Sequence, residues 1–327
     1  MNLKKLIAES YYKPIRYISN LFDTPAIILI YHRVTNLKND PQQLAVKPDN
    51  FYEHINFLKK NYNLLEIDEF KNYVINNKKF DKNTVIITFD DGYADNYLEA
   101  LPILESLDSQ ALFYISTSLL NTEKLIWWDQ LEQIFFSQKN IPASLKIKID
   151  DKDYNFKTAT KDEIINAYNS LHPLIKWQRL NEREKILNGL NDWSGFSNYE
   201  NINYRFLTFG EVKKMNDSKA AVIGAHTHNH IPLSLHNYDE QFQETNNSKK
   251  ILEDLTQKKI NHFSYPFGGK KDYNNNSIKI CSELNFEMVC ANYHSQVHSW
   301  TDKFQLPRIL VRDWNITSID PEFERIP

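Results

Sequence analysis

Residues 26–30, 85–89, 111–116 and 221–225 form short, almost wholly apolar runs instead of alternating apolar with polar positions. A strand that is apolar on both faces must be covered on both, which is the situation of a parallel sheet wrapped by helices. Longer polar-faced segments fall between the early runs. They predict helices over 49–60, from the short strand at 64–67 through residue 76, and over 96–107. The alternation predicts parallel β/α units over a sandwich, without fixing the order of strands.

From about 121 to 205 that rhythm stops. Three helices and a polar, Asn-rich connection are expected there, with Thr160 and Glu163 spaced to form a capping box at one helix start. Trp127, Trp128, Trp177 and Trp193 all lie in this stretch. Structural core and a carbohydrate-stacking surface are both open to them, core being the commoner fate of a tryptophan. Thr208 and Glu211 form a second capping-box candidate, after which 221–225 delivers the chain into a histidine-rich loop. A helix over 238–258, a strand over 262–266, a helix from about 278 and strands over 286–291 and 306–311 complete the pattern. No internal repeat is visible.

Composition narrows the function classes. A formal net charge of −3 argues against a generic polyanion-binding surface, so no nucleic-acid partner is expected. Two cysteines, Cys281 and Cys290, cannot make a disulfide framework or a four-thiolate metal site. Residues 1–20 carry Lys4, Lys5, Lys13 and Arg16 among apolar side chains, but lack a continuous signal-peptide core and a cleavage pattern. No run approaches the roughly 20 apolar residues that cross a bilayer. The expectation is a cytoplasmic protein, peripheral at the inner face of the membrane if the basic start lies on anionic lipid, or with that start packed on the main domain. Pro14 interrupts any helix there.

The chemistry concentrates in two places. Asp90-Asp91-Gly92 follows the 85–89 strand, and adjacent buried carboxylates are costly unless a metal, proton or hydrogen-bond network compensates them. On its own the triplet is also compatible with a polar turn. In His226-Thr227-His228-Asn229-His230, a helical or tightly turned backbone puts His226 and His230 on one face. With Asp91 they make an N2O set for Zn²⁺, leaving a coordination position for water or substrate. His228 is a supporting donor or a surface residue.

Together, Thr88-Phe89-Asp90-Asp91-Gly92-Tyr93 and His226 to His230 resemble two motifs of the NodB-type polysaccharide deacetylase family, carbohydrate esterase family 4. The resemblance runs from about residue 26 to 311. It implies a distorted (β/α)₇ barrel over 21–327, behind an N-terminal extension at 1–20, with a helical insertion at about 121–205. It also implies Asp91, His226 and His230 as metal ligands and Asp90 as catalytic base. Phe263-Ser264-Tyr265-Pro266-Phe267-Gly268 resembles the third family motif, which places Tyr265, Pro266 and Phe267 at the substrate groove and an oxyanion-stabilising amide near Phe267. Many relatives have arginine where this chain has Ser264, to orient the base. Arg308 is a spatial replacement whose guanidinium suits a carboxylate, or else a peripheral ion pair. Tyr31-His32-Arg33-Val34 resembles the early motif of exopolysaccharide deacetylases, which implies His32 as general acid. His294 and His298, a four-spaced pair in polar surroundings, are expected to face solvent, another acid or metal site being the alternative.

The expected activity is metal-dependent hydrolysis of a carbon–nitrogen amide bond: N-deacetylation of an N-acetylhexosamine in an envelope polysaccharide or its lipid- or nucleotide-linked precursor, with Zn²⁺ or another divalent transition metal. A non-catalytic, metal-stabilised carbohydrate-binding protein and a non-carbohydrate amidase are the alternatives.

Overall fold

The computed structural model describes residues 19–137, 140–196, 199 and 203–315. Residues 1–18, most of the basic stretch, lie outside them. By its contacts the chain divides into two compact units, one taking in residues up to Asn36, Gln43–Leu120 and those from Leu207 onward, the other Leu37–Gln42 and Asn121–Phe206.

In the first unit the strands run in the order Met288–Cys290, His262–Ser264, Ala221–Ala225, Ala111–Ile115, Thr84–Phe89, Ala26–Tyr31 and Ile309–Leu310. Neighbours in this row are parallel, and Asn63–Leu64 adds a short parallel pairing to Thr84–Phe89. An isolated bridge joins Cys290 to Leu306, just before the last strand, so that segment touches both ends of the row. The result is the distorted seven-stranded α/β barrel expected.

Side chains alternate across the sheet, so consecutive residues enter different apolar clusters. Val85, Ile87 and Phe89 pack with Phe51, Ile55 and Leu58 of helix Pro48–Asn61. Ile86 instead joins Ala26, Ile28, Leu112, Tyr114, Met288, Cys290 and Leu306. Two residues beyond Ile86 and Leu306 in the same alternation stand Thr88 and Arg308, and two beyond Thr88 stands Asp90. The wall therefore changes from apolar to polar toward the C-terminal ends of the strands.

Between strands Thr84–Phe89 and Ala111–Ile115 the single expected helix is a π-helical turn, Asn96–Ala100, leading into Leu101–Ser106. Pro102 in the first turn of the latter has no N–H to give, which disrupts regular helical bonding at this junction.

The second unit contains helices Trp127–Phe136, Lys161–Lys176 and Leu180–Ser194. It also holds an antiparallel hairpin, Ser144–Ile149 with Lys152–Lys157, so the expectation of a purely helical insertion is corrected. Its connecting residues Asp150 and Asp151 sit at φ 50° and 60°, the left-handed pair that a tight two-residue turn requires. Both capping boxes form, at Thr160–Glu163 and Thr208–Glu211. Trp127 and Trp128 are 5% and 7% exposed, and the Arg183 guanidinium lies 5.1 Å from the Trp127 ring centre, which makes these two rings core. Among the described residues no helix is long and apolar enough to cross a membrane.

Candidate active site

Asp90 and Asp91 leave the barrel wall together but turn apart. Asp91 takes φ 77° and Gly92 φ 88°, with the Gly92 N–H donating to the Asp90 carbonyl at 3.1 Å. A Cβ at Gly92 would come within 2.9 Å of Ile115 Cγ2, so the sharp exit depends on glycine.

Asp90 is held from two directions. Arg308 donates through Nη1 to Oδ1 and through Nη2 to Oδ2, both at 2.7 Å, while its Nε donates to the Ala291 carbonyl at 2.9 Å. The Ser264 hydroxyl accepts from Arg308 Nη2 at 2.7 Å and donates to Asp90 Oδ2 at 3.2 Å. Thr88 Oγ1 accepts from Nη1 at 3.3 Å and donates to the Leu29 carbonyl at 2.8 Å. Arg308 is 1% exposed and its guanidinium faces the Tyr114 ring, so its ion pair with Asp90 is buried, not peripheral. Burial pushes the Asp90 carboxyl up, but Arg308, then His226, holds it below its usual range.

Asp91, His226 and His230 meet beside this pair. Asp91 Oδ1 lies 3.6 Å from His226 Nε2 and 3.1 Å from His230 Nε2. One nitrogen or oxygen from each residue falls within 4.8 Å of the others, and all three residues are buried. His226 Nδ1 is 2.7 Å from the Ser264 carbonyl, which can only accept, so Nδ1 carries the proton and Nε2 presents a lone pair to the cluster. Burial pushes the Asp91 carboxyl up, while the adjacent His226 and His230 bring it well below the usual range. Two neutral imidazole nitrogens and a carboxylate oxygen suit a divalent transition metal.

The histidines reach this cluster on a tight turn. Thr227 and His230 have φ 61° and 49°. His228 points elsewhere, its Nδ1 lying 2.8 Å from Thr117 Oγ1. Asn229 gives its backbone N–H to Glu244 Oε2 at 2.7 Å and its side-chain amide to Oε1 at 2.6 Å.

His32 is half-buried. Burial lowers its imidazole below the ordinary value, opposed first by Asp91 and then by Asp90. Its carbonyl accepts from Asn96 Nδ2 at 2.8 Å. The next residue, Arg33, is buried against Asp95 and lies 4.1 Å from the Tyr93 ring centre. Sequence reasoning missed the Arg33–Asp95 pair, although Arg33 adjoins His32 and Asp95 lies four residues past Asp91.

At the third motif one expectation is corrected. Tyr265 is fully buried and stacks on Tyr273 at 4.1 Å, its hydroxyl donating to the Phe304 carbonyl, because alternation sends it to the opposite side from Ser264. Its side chain therefore cannot line a groove. Pro266 is buried, while Phe267, at φ 61°, packs edge-on to His230 with ring centres 4.6 Å apart. Gly268 is required by space as well as by its φ of 66°, since a Cβ would lie 2.6 Å from the Asn292 nitrogen. His294 is exposed, but His298 is not solvent-facing as expected. It lies against Asp23 at 3.5 Å and stacks on Trp300.

A family model described as polysaccharide deacetylase matches residues 77–141 and 196–289. A Bacillus subtilis (strain 168) protein, YxkH, which carries a polysaccharide deacetylase name, is 35% identical over 94 residues, 28% of this chain and 32% of that protein. The chain thus matches about a third of that relative's length. Among solved structures, the Streptococcus pyogenes deacetylase PplD in complex with acetate superposes with a TM-score of 0.61 at 19% identity, covering 93% of this chain and 99% of that one. IcaB from Ammonifex degensii gives 0.55 at 15% identity, covering 88% and 92%. These two likenesses are of fold.

Proposed function

Since the chain belongs to the polysaccharide deacetylase family, we propose that it removes the acetyl group from an N-acetylhexosamine in an envelope polysaccharide or its lipid- or nucleotide-linked precursor. The observation that carries this reading is the arginine-held carboxylate of Asp90 directly beside the buried Asp91, His226 and His230 cluster. Asp91, His226 and His230 would hold the metal, Zn²⁺ by preference. When bound, such an ion supplies Lewis acidity, polarising the acetamide carbonyl and acidifying water.

The remaining chemistry belongs to the chain. Asp90, kept ionised by Arg308, accepts the proton of the attacking water. A backbone N–H at Phe267 stabilises the oxyanion. His32 protonates the sugar nitrogen so that the amine leaves and acetate is released, the fields of Asp91 and Asp90 favouring its charged form against the cost of burial. No covalent intermediate with the protein is needed. The basic residues of 1–20 would bring the enzyme to anionic lipid at the cytoplasmic face, where a lipid-linked precursor is presented.

The test is acetate release from a panel of N-acetylated sugars, with the metal supplied and then removed by chelator. Metal-dependent acetate release from at least one sugar is expected. No release from any sugar by folded, metal-loaded protein would overturn the reading. Saturable sugar binding without turnover would then favour a binding protein, and release only from non-sugar acetamides would favour a general amidase.

A further inference from the structure

The turn that carries both histidine ligands is built from conformations that its residues do not favour. Thr227, a β-branched residue, and His230 both adopt positive φ, and no glycine occurs between His226 and His230. Within the turn the His230 N–H donates to Thr227 Oγ1 at 3.1 Å, and further bonds reach it from outside. On one side Thr117 and Ser118 supply them through the backbone: Thr117 N–H donates to the Thr227 carbonyl at 3.4 Å and Ser118 N–H to the His228 carbonyl at 2.9 Å. Ser116 Oγ adds a bond to the His226 carbonyl at 2.8 Å.

On the other side the anchors converge on one residue of helix Tyr238–Thr256. His228 N–H donates to the Glu244 carbonyl at 3.0 Å, and Asn229 places its backbone N–H and side-chain amide on the two Glu244 carboxylate oxygens. Each carboxylate oxygen thus receives its own N–H donor, and Asn229 lies between His228 and His230. By sequence Glu244 looks like one more acid on a polar helix. By geometry it is the charged half of a clamp on the metal-ligand turn.

We propose that Glu244 is a positioning residue for His226 and His230, setting the affinity of the Asp91, His226 and His230 cluster for its metal without touching metal or substrate. The inference rests on the metal reading of that cluster.

The test uses the full chain with Glu244→Ala, Glu244→Gln and the double change Glu244→Gln with Asn229→Asp. The double change moves the carboxylate across the clamp while leaving a side-chain amide opposite it and a carbonyl for the backbone N–H. Zn²⁺ affinity is measured by calorimetric titration with chelator competition, and the melting temperature of the metal-free protein is measured in parallel. Glu244→Ala should weaken Zn²⁺ binding about 10–100-fold, the range seen when groups supporting metal ligands are removed. Glu244→Gln should fall between it and the wild type, and the double change should recover most of the loss. Unchanged Zn²⁺ affinity in Glu244→Ala, or a lowered melting temperature with no rescue of affinity by the double change, would overturn the inference. If Glu244→Ala does not fold, the other two variants decide it by the same criterion. No Zn²⁺ binding by the wild-type chain would instead overturn the metal reading itself, and the clamp's role with it.

Discussion

Arg308 meets Asp90 and Arg33 meets Asp95, both buried in the barrel unit, yet the two guanidinium groups are used differently. Arg33 sends Nε and Nη2 to the same oxygen, Asp95 Oδ2, at 3.0 and 2.9 Å. The other oxygen accepts from the Val34 N–H at 3.1 Å and the Asn96 amide at 3.0 Å. Asp95, with the Asn96 amide on it, is thus a knot that ties its own segment to the one following His32. Arg308 gives one nitrogen to each oxygen of Asp90, and among the described contacts Oδ1 receives no other hydrogen bond. A carboxylate held this way keeps its orientation and has a lone pair left for a proton. Similar residue pairs therefore serve as a staple in one place and as a cradle in the other.

The largest expected effect separates those two uses. Arg308→Ala and Arg33→Ala each leave a buried carboxylate without its cation, and each should cost about 3–5 kcal/mol in the urea unfolding of metal-free protein. Only Arg308→Ala should also lower turnover per folded molecule, approaching the factor of on the order of 10²–10⁴ that general-base catalysis supplies, because Asp90, the proposed base, loses the contacts that orient it. Equal losses of turnover in the two variants would break the distinction.

Removing the charge from each acid sharpens it. Asp90→Asn should depress acetate release by on the order of 10²–10⁴ while Zn²⁺ binding persists. Asp95→Asn should show mainly as a stability loss of about 1–3 kcal/mol. Near-wild-type turnover by Asp90→Asn would remove Asp90 from the base role. The smallest change is Ser264→Ala. Arg308 would keep both of its bonds to Asp90, so the cost should be about 0.5–1.5 kcal/mol, with turnover reduced only a few-fold. A loss as large as that of Arg308→Ala would mean that the serine does the orienting.

The barrel was legible in the sequence because strands covered on both faces leave uninterrupted apolar runs, as at Ala26–Tyr31 and Thr84–Phe89. The hairpin at 144–157 was not. It sits within a polar stretch, and its alternation of Leu145, Ile147 and Ile149 with lysines was outweighed by the helical pattern around it. Asp91, His226 and His230 were visible as residue types at suggestive spacing. What spacing could not supply was orientation: Tyr265 falls on the wrong side by one step of alternation, and Arg308 meets Asp90 from 218 residues away. Glu244 carries no signal at all in a helix whose exposed face is already rich in acids and amides.

The segment that supplies Arg308 also pairs with the first strand, Leu29 with Ile309, and bridges Cys290 through Leu306. This gives the molecule a history as it is made. At roughly 5–20 residues per second, Asp90 is synthesised roughly 10–40 s before its cation exists, because 218 residues separate them. During that interval the edge of Ala26–Tyr31 that Ile309–Leu310 will cover has no partner, and it is apolar on both faces. Such an edge is open to pairing with other chains until the last strand arrives. Closure of the barrel and assembly of the Asp90 site are then the same late event, so a chain stopped before residue 308 carries neither a finished sheet nor a finished carboxylate cradle.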